Sequence, residues 1–356
     1  MKLSKDVWDF RDENFGPLLP YIQNENVTDI NYNGRDVWID DLVKGQHKAD
    51  ITLSQEFVNQ FAIRIANVVS ANFNQYHNLL EAETDTLRIS IIHESAAHTG
   101  MSISIRKTPA VRRLSQKKIL EEEYCSSEVL NLLIHCIKGK MNIVFCGLPG
   151  SGKTELLKFM TQYIPKNEKV MTIEDNLEIH YSEINPGSNC VELKVDEEHF
   201  PYTKAIKSSL RQNPQWVLLS EARSVEVKYL LECFSTGLHG LTTIHTDDVK
   251  KIPDRVQNMM QDSYAASRLE NDVYSFINVG IMIRRKVNER HEIKRYIDQV
   301  CFFDREGNQN RIVQIVADGK IIEKNLPVNI QKKFEMEGIM DPFREGDNES
   351  AVKKKA

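Results

Sequence analysis

The sequence predicts an α/β chain in two parts. A smaller α+β amino-terminal domain precedes a larger domain, in which a parallel-rich sheet surrounds a phosphate-binding loop. Three observations carry that expectation. The chain has 356 residues, too many for one small module and suited to two domains of roughly 100–200 residues each. Its first third contains segments that alternate apolar and polar residues, the period of half-buried strands. Beyond residue 140, apolar strand-like runs are repeatedly followed by reactive side chains, the format in which doubly wound sheets build a ligand crevice.

Composition narrows the class. Hydrophobic residues make up 41% and charged residues 27%, which argues for a packed core and against bulk disorder. Lys and Arg number 46 against 51 Asp and Glu, a net charge of −5 that counts against a surface-wide nucleic-acid footprint. No apolar run approaches the roughly 18–20 residues of a membrane helix, and the opening "MKLSKDVWDFRDENFG" lacks the apolar core of a signal peptide. The six cysteines (Cys125, Cys136, Cys146, Cys190, Cys233 and Cys301) are scattered, with no C-x-x-C pair. They read as reduced thiols of a soluble, cytosolic protein rather than a disulfide or zinc framework.

Residues 1–107 form the expected α+β domain. Asn33-Gly34 lies between the strand-like runs of "VTDINYNG" and "DVWID", a hairpin cue because both residues tolerate positive φ. Ser54 stands as N-cap before a helical stripe of Phe57, Phe61, Ile65 and Val68. In "TLRISII" the residues Leu87, Ile89 and Ile91 alternate with Arg88 and Ser90; in "GMSISIRK" Met101, Ile103 and Ile105 alternate with Ser102, Ser104 and Arg106. If these strands pair, Arg88 and Arg106 emerge on one polar face. Residues 108–116 turn basic and polar, as a linker. Residues 117–340 form the second domain, and the polar end 341–356 reads as a flexible tail.

The second domain opens with a helical pattern over 127–138 (Val129, Leu132, Leu133, Cys136) that stops at Gly139. The apolar strand "MNIVFC" then leads into "GLPGSGKTE", residues 147–155, followed by the helical run "LLKFM". This is G-x-x-x-x-G-K-[ST] in its required strand–loop–helix context. Gly147, Gly150 and Gly152 let the backbone turn tightly, so that N–H groups converge on phosphate oxygens, Ser151 and Glu155 among them. The helix adds its positive end. Lys153 reaches the β- and γ-phosphates, and the Thr154 hydroxyl ligates Mg²⁺.

Three further strand ends carry chemistry. "KVMTIEDNLEIH" supplies Glu174 and Asp175, to bind Mg²⁺ through water or to position the nucleophile. "QWVLLSEAR" supplies Glu221 and Arg223; Glu221 follows a buried-type strand 68 residues after Lys153 and is the candidate for activating the attacking water. Glu221 also shares with Glu174 the role of a water-mediated metal contact. "GLTTIHTDD" supplies His245, either a γ-phosphate sensor or a proton shuttle, with His239 six residues earlier.

Together these segments resemble the secretion ATPases that power type II and type IV secretion, type IV pili and conjugation, over about residues 20–300. "TIED" resembles that family's Asp box, "SLRQNPQWVLLSEAR" its atypical Walker B region, and "STGLHGLTTIHTDD" its His box. "VTDINYNGRDVWID" and "SISIRKTP" are similar to the amino-terminal domain of the Flp/Tad and conjugation branch. The absence of a four-cysteine zinc module agrees with that branch.

The resemblance implies a RecA-like motor domain that hydrolyses Mg-ATP and a hexameric ring with the amino-terminal domains as a second tier. It also implies a partner in an inner-membrane platform protein, and a cytoplasmic location against the membrane's inner face. Arg88 and Arg106 match family arginines that grip the phosphates. Two positions depart from the pattern: Ser220 replaces the Gly before Glu221, and Leu238 replaces the first His of the His box, with His239 next to it. Either a one-residue shift gives His239 that role or the role is lost. Beside the motor, a nucleic-acid translocase on the same core and a non-hydrolysing ATP-binding subunit stand as alternatives. The acidic balance disfavours the translocase.

Overall fold

The computed structural model describes residues 12–260, 263–288 and 292–345. The chain divides into two compact units, Met1–Ala110 with Lys286–Lys294, and Val111–Arg285 with Arg295–Ala356. The segment 286–294, which sequence patterning leaves inside 117–340, groups with the first unit. Among the described residues no helix is long and apolar enough to cross a membrane.

The first unit holds strands β1 (Val27–Tyr32), β2 (Val37–Asp41), β3 (Gly45–Lys48), β4 (Leu79–Glu83), β5 (Leu87–Ile92) and β6 (Ser102–Lys107). They form one antiparallel sheet in the order β3-β2-β1-β6-β5-β4. Alternation decides its faces: Ile30, Ile39, Ile89, Ile91, Ile103 and Ile105 are buried, while the residues between them stay half-buried or exposed. The buried face shares a core with the helix Gln55–Val68.

Ser54 caps that helix, its Oγ accepting from Phe57 N at 3.1 Å. Its buried stripe is Val58, Phe61, Ala62, Ile65 and Ala66. Of the residues expected there, Phe61 and Ile65 are central. Phe57 and Val68 lie at the margin, because a 3.6-residue period brings the small alanines under the stripe.

The β1–β2 turn uses positive φ at Gly34 only, at 92°. Asn33 acts instead through its side chain, whose Oδ1 accepts from Arg35 N and Asp36 N at 3.1 and 2.8 Å. A Cβ at Gly34 would lie 2.4 Å from the Thr99 carbonyl oxygen, so glycine is also required by close approach.

The second unit is built on β7 (Ile143–Cys146), β8 (Val170–Glu174), β9 (Cys190–Lys194), β10 (Trp216–Leu219), β11 (His239–Ile244), β12 (Val279–Val287), β13 (Ile293–Glu306), β14 (Gln309–Ala317) and β15 (Lys320–Ile321). The sheet order is β15-β14-β13-β12-β7-β11-β10-β8-β9, and β12-β7-β11-β10-β8-β9 pair in parallel. Strands β7, β8 and β10 are buried at every position. Successive residues feed opposite cores: Ile143, Phe145, Trp216 and Leu218 join the helix Ser127–Lys138, while Val144, Cys146, Val217 and Leu219 join the helices Tyr202–Leu210 and Glu226–Ser235. A sheet covered on both faces can offer chemistry only at its strand ends.

Parts of the expected linker and tail are tied down. Arg112 donates through Nε to Lys158 O at 3.2 Å and through Nη2 to Ile184 O and Asn185 Oδ1 at 2.9 and 2.7 Å. Within the expected flexible tail, residues 341–345 are anchored. Phe343 is buried, its carbonyl accepts from Asn131 Nδ2 at 3.3 Å, and His135 Nδ1 bonds the Pro342 carbonyl at 2.9 Å. Residues 346–356 lie outside the described residues.

Candidate functional site

The parallel register collects the reactive residues. Cys146 pairs with Ile244, and Leu219 pairs with both Thr242 and Ile173. The residues just beyond these paired positions (Gly147, His245, Ser220-Glu221, Glu174-Asp175) therefore leave the same edge of the sheet.

The loop after β7 is shaped for an anion. Gly147, Gly150 and Gly152 take φ of 150°, 73° and 95°. A Cβ at Gly147 would lie 2.5 Å from both the Ile283 carbonyl oxygen and Ser151 Oγ, so no other residue fits there. Gly152 leads into the helix Lys153–Thr161 and directs its unpaired N–H groups at the loop. Ser151 Oγ is buried without a hydrogen-bond partner, and a phosphate oxygen in the cradle would supply one.

Lys153 lies inside this cradle, 7% exposed, with Nζ donating to Gly147 O at 3.0 Å and Leu148 O at 3.3 Å. Burial pushes its pKa down, opposed by the charge of Glu221. Lys153 Nζ is also 3.3 Å from His245 Nδ1. An ammonium only donates, so Nδ1 accepts and the proton of a neutral imidazole resides on Nε2. That Nε2 lies 3.1 Å from Glu221 Oε1. Burial and the Lys153 charge lower the His245 pKa, against the raising pull of Glu221 and of a hydrogen bond to the Gly147 backbone.

The chain of contacts continues. Glu221 Oε2 is 2.8 Å from Arg223 Nη2, and Arg223 Nη1 is 3.0 Å from Asp175 Oδ2. Arg223 is placed by Glu226, whose Oε1 accepts from the backbone N–H groups of Arg223 and Ser224 at 2.5 and 2.7 Å. Lys153, His245, Glu221, Arg223 and Asp175 thus form one hydrogen-bonded line beside the loop. Ser220 does not disrupt it: its carbonyl accepts from Thr243 Oγ1 at 2.7 Å, fixing the β10 end against β11.

Glu174 stands apart from that line. It is fully buried, and Oε2 accepts from Glu178 N and Ile179 N at 2.9 and 3.1 Å while Oε1 has no hydrogen-bond partner. Burial pushes its pKa up to about 8, against the pull of those two N–H groups. Its contacts are those of a loop anchor. The carboxylate it positions is Glu178, whose Oε2 is 3.4 Å from Thr154 Oγ1. Sequence patterning singles out Glu174 and Asp175 and misses Glu178, although "TIEDNLE" carries it four residues on.

Among the described residues no group of three or more His, Cys, Asp or Glu is arranged to hold a metal ion. A hydroxyl with a facing carboxylate is nonetheless the partial oxygen set that Mg²⁺ accepts when phosphate and water complete it. Glu155 takes Arg113, with Nη1 to Oε1 at 3.2 Å.

His239 begins β11, opposite Trp216, so it lies five residues before the strand's reactive end, roughly 16 Å away at strand rise. A one-residue shift does not bring it to the loop.

Arg88 and Arg106 belong to the first unit, where they are direct cross-strand partners on the polar face. Arg106 Nε is 2.7 Å from Asp29 Oδ1, and Arg88 Nη2 is 4.0 Å from Glu81 Oε1.

A glycine-lined anion cradle after the first strand of a parallel sheet, with a carboxylate at the end of a neighbouring strand, defines a P-loop protein of the RecA-like class. The chain belongs to the family described as type II/IV secretion system protein, whose model matches residues 78–314. An uncharacterized protein of Bacillus anthracis is 24% identical over 307 residues, spanning 83% of this chain and 69% of that one. The type IV secretion system protein VirB11 of Brucella suis is 24% identical over 323 residues, 80% of this chain and 88% of that one. Several other curated relatives are matched over about half of their length or less. The solved structure of the pilus retraction motor PilT with bound ADP superposes with a TM-score of 0.56 at 16% identity, over 87% of this chain and 82% of that one, which shows the shared fold.

Proposed function

We propose that this protein is a motor ATPase: it hydrolyses Mg-ATP in the 147–154 cradle and passes the resulting movement to a membrane-embedded pilus or secretion machine. The observation that carries the reading is the line Lys153–His245–Glu221 beside a loop with an unsatisfied buried hydroxyl. In this reading Lys153 exchanges its loop carbonyls for phosphate oxygens. Glu221, released from His245, accepts the proton of the attacking water. His245, neutral with its proton on Nε2, reports the state of Lys153 to Glu221. Arg223 holds Glu221 in place and Asp175 holds Arg223.

Thr154 and Glu178 are the residues that would hold Mg²⁺, Glu178 taking the metal role that the sequence pattern assigns to Glu174. When bound, Mg²⁺ neutralises charge developing on the β- and γ-phosphates. Arg88 and Arg106 are assigned to the same reading as cations that grip phosphate. Assembly into a homo-oligomeric ring, an inner-membrane platform partner and a cytoplasmic position at the membrane belong to it as well, supported by the family.

Lys153→Ala should abolish turnover, and Glu221→Gln should lower it by about 100-fold or more, the usual size of a general-base contribution. Steady-state phosphate release from the assembled protein measures both. Unchanged release in the two variants would overturn the proposal. Binding without turnover in the wild type would favour the non-hydrolysing alternative, and severalfold stimulation by DNA at physiological salt would favour the translocase.

A further inference from the structure

We propose that Arg295 and Tyr124 form the α-phosphate end of the nucleotide site, reading the phosphate that a nucleoside di- or triphosphate carries next to its sugar. The inference rests on the nucleotide reading above.

The groups around the loop divide between two lips. On one stand Lys153, His245 and Glu221, with Thr154 and Glu178 beside them, the set suited to a terminal phosphate, a metal and water. On the other, the Gly150–Gly152 turn meets arginines. Strand β12 pairs Met282 with Cys146, the last residue of β7, and then runs on to Val287. Arg285 therefore lies alongside the loop, with Nη1 3.3 Å from a Cβ built on Gly150. The neighbouring β13 supplies Arg295, whose Nε donates to Gly150 O at 3.3 Å and whose Cδ is 3.3 Å from a Cβ built on Gly152. The Tyr124 hydroxyl is 3.9 Å from the same point, and Ile297 N fixes the tyrosine backbone, donating to Tyr124 O at 2.9 Å.

Two independent features show that this lip is suited to an anion. Tyr124 is 3% exposed and its hydroxyl has no hydrogen-bond partner, a costly state for a buried polar group. The second feature is like charge: Arg285 and Arg113 both bear on Arg295, with Tyr124 and Glu155 acting the other way. Burial and those cations push the Arg295 pKa down. A phosphate oxygen that accepts from the Arg295 guanidinium and from the Tyr124 O–H would satisfy the hydroxyl and offset the repulsion between cations. The α-phosphate is the one so placed. The loop N–H groups cradle the β-phosphate and the carboxylate lip claims the γ-phosphate, so a linear chain of three must leave across the arginine lip.

Arg295→Ala should weaken ATP and ADP alike, by about tenfold, because both carry the α-phosphate and lose the same charge-assisted bond. Loss of loop bracing alone could mimic that result, so the deciding probe is the pair of ADPαS diastereomers, in which sulfur replaces one α-oxygen or the other. Titration of the wild-type protein should show a severalfold preference for one diastereomer. Arg295→Ala should abolish it and Tyr124→Phe, which keeps the ring packing, should reduce it. Equal affinity for the two diastereomers in the wild type, or a preference that survives in Arg295→Ala, overturns the assignment while the cradle reading stands. A wild-type protein that binds neither ATP nor ADP defeats both readings together.

Discussion

The two sheets of this molecule handle reactive side chains in opposite ways. In the antiparallel sheet of the first unit one face is buried and the other open, so Arg88, Arg106 and Asp29 sit within strands, each next to one buried isoleucine (Ile89, Ile105 and Ile30). In the parallel sheet of the second unit both faces are buried, and no mid-strand position of β7 or β10 is exposed. Its chemistry is pushed to the carboxyl ends, where Gly147, Glu221 and His245 gather within one or two residues of the last buried position. The number of covered faces thus decides where along a strand a functional group can stand.

The largest effects that test this contrast are packing effects. Leu218 and Leu219 are adjacent and fully buried in opposite cores, so Leu218→Ala and Leu219→Ala should each cost about 2–5 kcal/mol. In the first sheet Ile89→Ala should cost as much, whereas Ser90→Ala, on the open face, should stay within about 0.5 kcal/mol. Calorimetric unfolding of each variant measures the difference. A tolerated alanine at either leucine would break the contrast.

The second effect depends on pH. Glu174 is a carboxylate at a strand end that burial has turned inward, and its pKa rises from the ordinary 4.5 to about 8. Between those values the native state holds a proton that the unfolded state lacks. Stability is therefore full below the unfolded pKa and falls as pH rises through the folded one, by at most about 1.4 kcal/mol per pH unit. Glu174→Gln keeps an oxygen for the Glu178 and Ile179 N–H groups and removes the titration. The variant should show a flatter stability profile between about pH 5 and 8 in denaturant titrations. A slope equal to that of the wild type would show that Glu174 ionises freely.

Much of this arrangement can be read in the sequence, and the boundary has a physical cause. The loop is legible because phosphate binding demands fixed residue types at fixed spacing, and the Arg88–Arg106 pairing because period two assigns faces. Ser54 is legible as a cap from its place before the stripe. Glu178, Tyr124 and Arg295 are not: each owes its position to contacts between segments distant in sequence or to a loop whose path no local period fixes. Glu174 and Glu178 differ only in which carboxylate the backbone N–H groups capture, a choice made by tertiary packing. The stripe expected over Phe57 and Val68 is displaced for a related reason, since alanines carry little signal in a periodicity count but fill space under a sheet.

The smallest structural effect is also the sharpest test of the open face. The Arg106–Asp29 pair has a good distance but a guanidinium side chain 57% exposed, so its loss in Arg106→Ala should cost no more than about 1 kcal/mol and should shrink further in salt. Stability alone therefore gives Arg106 little reason to be there. If it grips phosphate as proposed, the same variant should lower ATP turnover far more than that figure implies, and Asp29→Ala, which removes only the partner, should not. Measuring melting temperature and phosphate release on both variants separates the two roles. A turnover loss that tracks stability in both would return Arg106 to a solvated strand cation and leave the first unit's open face without a part in the chemistry.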